Sequence, residues 1–299
     1  MTLLKISSKA KIFCENAILI TGSARSGTSL VGSIIHSMEN VEYAYEPPMM
    51  IALLPFINEM NESQWRLLYE SYLYEEFLLN SIAGRSINCN TCDYSSIYKT
   101  KSPLDINNRL TNHYTKSMAQ KHSDGKIIAY KIPDVVYIVP KIKEYYPSMR
   151  IVIMLREAVS TINSLIQKKW FARENENSDL IWPYKINGNI NIPYWVKKCD
   201  EKTWISMSEI DRAAYYYIMV NEHVSNITDR LEIKYSNLIK NPIKEVERIS
   251  ENLHLKFGEK TLDIIKGISA SEATKNNHIL NDIREDLRKK VVYYSELSQ

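Results

Sequence analysis

The fold is decided by a stretch near the N-terminus that reads Ala17-Ile-Leu-Ile-Thr21-Gly22-Ser-Ala-Arg25-Ser-Gly27-Thr28-Ser29. A short apolar run ends there in a glycine turn, and a segment of helical periodicity follows it. Three of the eight glycines of the chain, Gly22, Gly27 and Gly32, lie in or just after this turn. Glycines let backbone amides approach a ligand, and a helix N-terminus attracts negative charge. The stretch therefore predicts an anion-binding junction between a strand and a helix.

The spacing of the glycines and the residue after Gly27 indicate which class of phosphate ligand the turn could bind. Gly22 and Gly27 are separated by four residues, as in the P-loop of nucleotide triphosphatases, but Thr28 stands where those enzymes need a lysine. This difference argues against hydrolysis of ATP or GTP. A glycine turn whose serine or threonine only caps the helix, with no ligand, is the alternative at this point.

Short apolar runs alternate with stretches of helical periodicity along the rest of the chain. The predicted strands are residues 17–21, 41–44, 126–130, 150–155 and 231–235. A helix is expected to open at Pro133, with an inner face formed by Val136, Ile138, Val139 and Ile142. The alternation predicts an α/β fold of the three-layer, P-loop type, with a central, mostly parallel sheet of five strands and helical insertions.

Two segments, at about 51–125 and 168–205, interrupt this alternation. The second contains four of the five tryptophans, Trp170, Trp182, Trp195 and Trp204. We expect a single domain over residues 1–299, in which these loop-rich insertions contact the substrate and the tryptophans offer stacking faces. Alternatively, these aromatic residues pack into a small secondary core beneath a long loop.

Composition excludes several classes of protein. The formal net charge of +3 is small for 299 residues, so no nucleic-acid partner is indicated. The chain has no apolar run of about 18 residues and no apolar signal sequence at its start, so we expect a cytoplasmic protein without a transmembrane segment. The four cysteines suit a reducing compartment, and Cys89-x-x-Cys92 lacks the second ligand pair of a zinc site.

The glycine junction resembles the 5'-phosphosulfate loop of sulfotransferases that use 3'-phosphoadenylyl sulfate (PAPS), in the branch with carbohydrate 6-O- and tyrosylprotein sulfotransferases. The resemblance rests on Arg25-Ser26-Gly27-Thr28-Ser29 and, with later motifs, spans residues 16–50 and 126–255. It implies that Arg25, the amides of residues 26–29 and the Thr28 and Ser29 hydroxyls bind the 5'-phosphosulfate. The residues assigned to this loop are Gly22, Ser23, Arg25, Ser26, Gly27, Thr28 and Ser29.

A carboxylate follows the second predicted strand in Tyr45-Glu46-Pro47, where strand-end side chains face the crevice of an open α/β sheet. The triplet is most similar to the carbohydrate enzymes, in which an acidic residue at this spacing is the general base. The resemblance also places Lys131 near the sulfuryl group, where a cation neutralises charge on the leaving phosphate. A solvated charge at a strand end is the alternative for both residues.

The resemblance implies a second phosphate site at Arg156 and Ser164, which have the eight-residue separation of the family's 3'-phosphate pair. Arginine offers phosphate oxygens a fork of donors. Glu157-Ala158 replaces the family's Asp-Pro pair, so the local turn is not carried over. The segment from Leu231 to Pro242 is similar to a late strand and turn of the family, and Tyr235 in it is assigned to the nucleotide, with a core tyrosine as the alternative. Lys275 lies where many members close the phosphate site with basic residues.

These assignments predict a sulfotransferase that moves a sulfuryl group from PAPS to a hydroxyl acceptor, with a saccharide or glycoconjugate as first choice. Glu46, Lys131 and Arg25 are the catalytic residues of this scheme, PAP is the product and no metal takes part. Two alternatives stay open. One is a P-loop kinase that acts on a small molecule, and the other is a nucleotide-binding module without catalysis, which would not need Glu46.

Overall fold

A computed structural model of the chain describes residues 6–93, 95–173, 183–268 and 277–298. Its strands are β1 (Ile18–Gly22), β2 (Val41–Tyr45), β3 (Ile127–Lys131), β4 (Arg150–Leu155), β5 (Tyr184–Asn187), β6 (Ile190–Pro193) and β7 (Leu231–Lys234). Five of them form a parallel sheet in the order β2-β3-β1-β4-β7. β5 and β6 form a separate antiparallel hairpin. The prediction of a central five-stranded parallel sheet is confirmed.

Helices cover this sheet and fill the connections between its strands. They are α1 (Ser8–Glu15), α2 (Thr28–Ser37), α3 (Pro48–Leu53), α4 (Glu62–Glu70), α5 (Asn80–Ile82), α6 (Ile97–Thr100), α7 (Pro103–Thr111), α8 (Lys116–His122), α9 (Val139–Tyr145), α10 (Ala158–Gln167), α11 (Glu201–Ser206), α12 (Glu209–Val224), α13 (Tyr235–Lys240), α14 (Pro242–Leu253), α15 (Thr261–Lys266) and α16 (Glu285–Leu297). Among the residues that the structure describes, no helix combines the length and apolar character needed to cross a bilayer.

Both faces of the sheet are buried, because side chains alternate along each strand and apolar residues occupy both sides. On β1, Leu19 belongs to the larger core, which includes Ile162 of α10 and Tyr216 of α12. Its neighbour Ile20 faces the other core, which includes Ile34 of α2. The apolar runs thus give a sheet between two helical layers, and the strand ends are left to form a crevice.

One predicted helix start is wrong. Pro133 does not open a helix, because the next residue, Asp134, has a left-handed backbone with φ of 71° that cannot continue a right-handed helix. A 3-10 turn at Val136–Ile138 follows, and α9 begins at Val139. The predicted inner-face residues are nonetheless buried.

The insertion at 51–125 is largely helical, so the prediction of helical insertions is confirmed there and only the description of this segment as loop-rich is wrong. α4 continues directly into a π-helix at Ser71–Leu79. Trp65, Tyr69, Leu73 and Phe77 are spaced by four residues and all are buried in the larger core. Their spacing is the helical signal in the sequence. Cys89 and Cys92 are free and exposed.

The second insertion buries three of its six described aromatic residues, namely Phe171, Trp195 and Trp204. Trp195 and Trp204 are 6% and 3% exposed, and their rings meet edge to face with centroids 5.3 Å apart. The expectation that they offer stacking faces to a substrate is therefore wrong, since core packing covers them. Trp170 is half-buried. Trp182 lies outside the described residues.

Candidate active site

A cavity of about 580 Å³ lies where the chain leaves the carboxyl ends of the parallel strands. The predicted site residues in its lining are Arg25, Gly27, Thr28, Ser29, Glu46, Lys131, Arg156 and Tyr235. They follow or end β1, β2, β3, β4 and β7. Because all five strands are parallel, their carboxyl ends meet at one edge, and this edge is the usual ligand crevice of open α/β sheets.

The glycine loop leads directly into the N-terminus of α2. Gly27 has φ of 103° and precedes the first helical residue, Thr28. A Cβ atom on Gly27 would lie 2.7 Å from the ring of Tyr235, so only glycine fits both the backbone and the space. The first N–H groups of a helix have no intrahelical partner and point along the helix axis. The loop therefore presents an anion cradle to the cavity.

Part of the predicted loop faces inward. The amide and the hydroxyl of Ser26 both donate to the carbonyl of Ser23, at 3.2 and 2.6 Å. Gly22 packs against β4, where an added Cβ would lie 2.5 Å from the carbonyl oxygen of Met154. Gly22, Ser23 and Ser26 thus shape the turn and do not line the cavity, while Thr28 and Ser29 do.

Two arginines connect the loop to the end of β4. The Nε of Arg25 donates to the hydroxyl of Ser164 at 2.9 Å. The Nη1 of Arg156 donates to the carbonyl of Arg25 at 2.8 Å. The structure therefore brings together Arg25, Arg156 and Ser164, although Ser164 is not itself part of the cavity lining.

Arg156 is held over an aromatic ring. Its guanidinium carbon lies 4.4 Å from the ring centroid of Tyr235, which is cation–π distance. Burial lowers the pKa of Arg156 from its ordinary value, and nearby Arg25 acts in the same direction. The group stays charged, as arginine does in proteins. A partly dehydrated cation of this kind gains strongly from an anionic partner.

The turn after β4 is capped by an acidic side chain. Glu157 is the N-cap of α10, and its carboxylate accepts from the amide of Ser160 at 3.1 Å. The acidic side chain therefore takes the capping role at this turn. Arg156 remains directed towards the loop and Tyr235.

The candidate base and the candidate cation contact each other. Lys131, which is 3% exposed, donates to the carboxylate of Glu46 and forms an ion pair with it. The Nζ of Lys131 also lies 4.4 Å from the ring centroid of Tyr45. The amide of Glu46 donates to the carbonyl of Lys131 at 3.0 Å, so the backbone of β3 fixes the position of Glu46.

Backbone strain is concentrated around this cavity. Of the six described non-glycine residues with positive φ, Arg25 at 67° and Glu46 at 41° line the cavity. A third, Asp134, follows the lining residue Pro133. Left-handed backbone at non-glycine residues costs energy and persists where the surroundings enforce it, most often at functional sites.

The charges of the cavity favour an anionic ligand. Among the described residues, its lining includes three cations, Arg25, Lys131 and Arg156, and one carboxylate, Glu46. With the helix N-terminus, these groups can bind phosphate-like oxygens at two places while a carboxylate stays within reach of a proton. In the described part of the chain no three His, Cys, Asp or Glu side chains are grouped to hold a metal ion.

Sequence reasoning missed several cavity residues. Leu30, Pro133, Ile239 and Ile268 line the cavity. Apolar periodicity assigns such residues to cores, so no signal in the sequence singles them out. Trp170, one of the four tryptophans expected to face the substrate, does line the cavity. Lys275 lies outside the described residues.

The sequence model of the sulfotransferase family matches residues 17–259. This range contains the glycine loop, Glu46, Lys131, Arg156 and Tyr235. The chain therefore belongs to the sulfotransferase family, and it is a sulfotransferase enzyme. Comparison with curated proteins found no match.

Solved structures of sulfotransferases resemble the chain over nearly its whole length. The sulfotransferase domain from the curacin biosynthetic pathway is 12% identical, with a TM-score of 0.50 over 94% of this chain and 96% of that chain. The sulfotransferase domain of the Synechococcus PCC 7002 olefin synthase is 14% identical, with a TM-score of 0.48 over 94% and 93% of the two chains. A sulfotransferase from Alicyclobacillus acidocaldarius is 12% identical, with a TM-score of 0.46 over 94% of each chain. At 12% identity the likeness to the curacin-pathway domain concerns the fold alone.

Proposed function

We propose that the enzyme transfers a sulfuryl group from PAPS to a hydroxyl of a saccharide or glycoconjugate. The observation that carries the proposal is that the described lining of one cavity contains a helix N-terminus, three cations and a single carboxylate, Glu46. PAPS has a phosphate at each end of its ribose, and an anionic sulfuryl group on one of them. The donor thus matches a site with several cationic groups.

We assign the donor contacts as follows. The loop from Gly27 to Ser29 holds the 5'-phosphosulfate with its amides and hydroxyls, and Arg25 adds a charged donor. Arg156, with Ser164 nearby through Arg25, holds the 3'-phosphate. Tyr235 keeps the guanidinium of Arg156 in place and faces the nucleotide. The loop suits an anionic group, because Gly27 lets the backbone turn into the N-terminus of α2 beside Tyr235, where any side chain would clash with the Tyr235 ring.

In the proposed reaction, Glu46 accepts the proton of the acceptor hydroxyl as its oxygen attacks sulfur in line. The bond between sulfur and the bridging phosphate oxygen breaks, and the electron pair stays on that oxygen. Lys131 and Arg25 neutralise the charge that develops there. The pairing of Lys131 with Glu46 in the structure places both groups at one point of the cavity. The scheme requires no metal, and PAP is the second product.

The acceptor is proposed to lie beside Tyr45 and Trp170. Tyr45 is 44% exposed next to Glu46, and Trp170 is half-buried in the cavity wall. Aromatic faces of this kind pack well against sugar rings and aromatic alcohols. We further propose that residues 1–299 act as one domain and that the segment 168–205 contributes to acceptor choice through Trp170.

Two other functions make different demands on the same residues. A P-loop kinase needs a lysine after Gly27, where this chain has Thr28. A binding module without catalysis would use Arg25 and Arg156 but has no use for Glu46. The presence of Glu46 in contact with Lys131 favours the transferase.

Calorimetry tests the donor assignment. Adenosine 3',5'-bisphosphate is expected to bind more tightly than ADP or ATP, because only this ligand engages both phosphate positions. Arg156→Ala is expected to weaken its binding by about 10- to 100-fold, the worth of a charged hydrogen-bonding group. Arg284→Ala, which removes an exposed arginine outside the cavity lining, is the control. Preference for ADP or ATP would overturn the donor assignment.

A second variant tests the cradle itself. Gly27→Ala is expected to weaken binding of the bisphosphate by about tenfold or more, because the added methyl group strains the backbone and displaces Tyr235. Gly125→Ala is the matched control. Gly125 also has positive φ, at 77°, but an added Cβ there meets nothing within 4 Å. Equal affinity in the two variants would contradict the cradle.

A further inference from the structure

A buried tyrosine bridges the glycine loop and the turn after β3. The amide of Ala24 donates to the hydroxyl oxygen of Tyr216 at 2.6 Å. The same hydroxyl donates to the carboxylate of Asp134. Ala24 belongs to the glycine loop, whereas Tyr216 lies on α12, 192 residues later, outside every motif found in the sequence. The phosphate loop is thus tied to a distant helix through one hydroxyl group.

The direction of these two hydrogen bonds is determined by their chemistry. An amide can only donate and an ionised carboxylate can only accept, so the tyrosine hydroxyl fits between them in one orientation. Tyr216 is 0% exposed and Asp134 is 1% exposed. Hydrogen bonds shielded from water in this way leave an unsatisfied buried group if one partner is removed.

Asp134 also contacts the loop through its backbone. Its amide donates to the carbonyl of Gly22 at 3.0 Å. Its φ of 71° is a conformation that aspartate and asparagine tolerate better than most residues. The loop is therefore held at Gly22 by the backbone of Asp134 and at Ala24 by its carboxylate through Tyr216. Both contacts precede Arg25 and Gly27, which line the cavity.

The ring of Tyr216 is fixed by the second insertion. Its centroid lies 5.5 Å from that of Phe171 and 5.3 Å from that of Trp195. Both partner rings are buried. Aromatic residues of the 168–205 segment therefore set the position of the hydroxyl that holds the phosphate loop.

We propose that Tyr216 and Asp134 are positioning residues that hold the loop in the conformation required by the 5'-phosphate end of the donor. The proposal rests on the proposed function. It assigns the buried aromatic residues of the second insertion to donor binding, in place of the acceptor contact expected for them. The brace, by which we mean the contacts of Tyr216 and Asp134 with the loop at Gly22 and Ala24, is expected to affect the 5' end more than the 3' end. Arg156 at the 3' end follows β4 and is also held by the ring of Tyr235.

The test compares two ligands that differ only at the 5' position. Calorimetry measures adenosine 3',5'-bisphosphate and adenosine 3'-monophosphate on the wild-type enzyme and on Tyr216→Phe. The variant is expected to bind the bisphosphate about tenfold more weakly, since two buried hydrogen bonds are lost. Its affinity for the 3'-monophosphate is expected to stay within about twofold, a difference too small to signal a lost hydrogen bond. If Tyr216 only stabilised the fold, the substitution would weaken the binding of both ligands to the same extent.

Tyr69→Phe is the matched control. Tyr69 is a fully buried tyrosine whose hydroxyl pairs with that of Tyr130 at 2.7 Å, and it does not line the cavity. This variant is expected to leave both affinities unchanged. Asp134→Asn, which keeps an acceptor oxygen and tolerates the same backbone, is expected to lose about threefold for the bisphosphate only, because a charge-assisted bond becomes a neutral one.

Two results would contradict the proposed positioning role of Tyr216 and Asp134. Equal loss of both ligands in Tyr216→Phe would show a general structural effect, and unchanged affinity for both would show that the hydroxyl is not needed. If the wild-type enzyme fails to bind the bisphosphate, the proposed function fails first, and the donor role of Tyr216 fails with it. A selective loss at the 5' end supports the brace.

Discussion

Replacing Glu46 by glutamine is expected to lower kcat by about 10²- to 10⁴-fold, the usual contribution of a general base. Glutamine cannot take the proton of the acceptor hydroxyl, but its amide oxygen can still accept from Lys131. The fold and the donor site should therefore remain intact. The measurement is PAP formed from PAPS in the presence of a panel of mono- and disaccharides.

Donor affinity separates catalysis from structure in this experiment. Glu46→Gln is expected to bind adenosine 3',5'-bisphosphate within about threefold of the wild-type enzyme, since no donor contact is assigned to Glu46 and a larger change would have the size of a lost hydrogen bond. Glu247→Gln, which alters an exposed glutamate on α14, is the control and should change neither quantity. Unchanged turnover in Glu46→Gln would refute the base assignment. If bisphosphate affinity and kcat fell by the same factor, the role of Glu46 would be to hold Lys131 in place and not to accept the proton.

Replacing Arg109 by methionine is expected to lower the free energy of unfolding by about 3 kcal/mol. Arg109 is 5% exposed and bonds both carboxylate oxygens of Glu42, at 2.7 and 2.8 Å. Glu42 is 1% exposed on β2, at an edge of the sheet. The loss is at the low end for a broken buried pair, because Lys126 stays 3.7 Å from Glu42. Urea unfolding measures the change.

Acid stability gives a second measure of the same pair. Burial alone would raise the pKa of Glu42, but Lys101, Arg109 and Lys126 outweigh it and hold the pKa well below the ordinary value. The carboxylate therefore stabilises the fold fully above its unfolded-state pKa of about 4.3, and this contribution is lost as the pH falls through the lower folded-state value. Arg109→Met raises the folded-state pKa, so acid unfolding should begin at a higher pH than in the wild type.

The exposed ion pair of Glu285 and Lys289 on α16 provides the contrast. Its side chains are 72% and 78% exposed, and the charged atoms lie 3.2 Å apart. Lys289→Met should leave the unfolding midpoint unchanged, since water screens such pairs. If Arg109→Met also leaves the midpoint unchanged, Glu42 must be compensated by Lys101 and Lys126 alone.

Local apolar patterns in the sequence were sufficient to predict the five strands of the parallel sheet. The strand at 150–155 matches β4. The predictions at 17–21 and 126–130 begin and end one residue before β1 and β3, and those at 41–44 and 231–235 differ from β2 and β7 by one residue at the C-terminal end. These runs are apolar because both faces of the sheet are buried, so a signal from neighbouring residues is enough. The same holds for Gly27, whose place before a helix is visible from spacing alone.

Local composition was not enough to locate the helices of the 51–125 insertion or to predict the turn at Pro133. Trp65 and Tyr69 lie on one helix face, but the apolar Leu68 between them is exposed, so the order of apolar and polar residues does not mark the buried face. The left-handed backbone of Asp134 is maintained by contacts with Gly22 and Tyr216. A proline at the start of an apolar stripe does not reveal such contacts.

By itself, the sequence determined the parallel sheet, the anion-binding glycine loop and the types of charged residue at the strand ends. Only the tertiary structure decided which of these groups meet, since Arg25 contacts Ser164 across 139 residues and Ala24 contacts Tyr216 across 192. It also placed Trp195 and Trp204 in the core and Trp170 in the cavity wall. The physical reason is that apolar periodicity depends on neighbours along the chain, whereas hydrogen bonds and ring contacts depend on how distant segments pack.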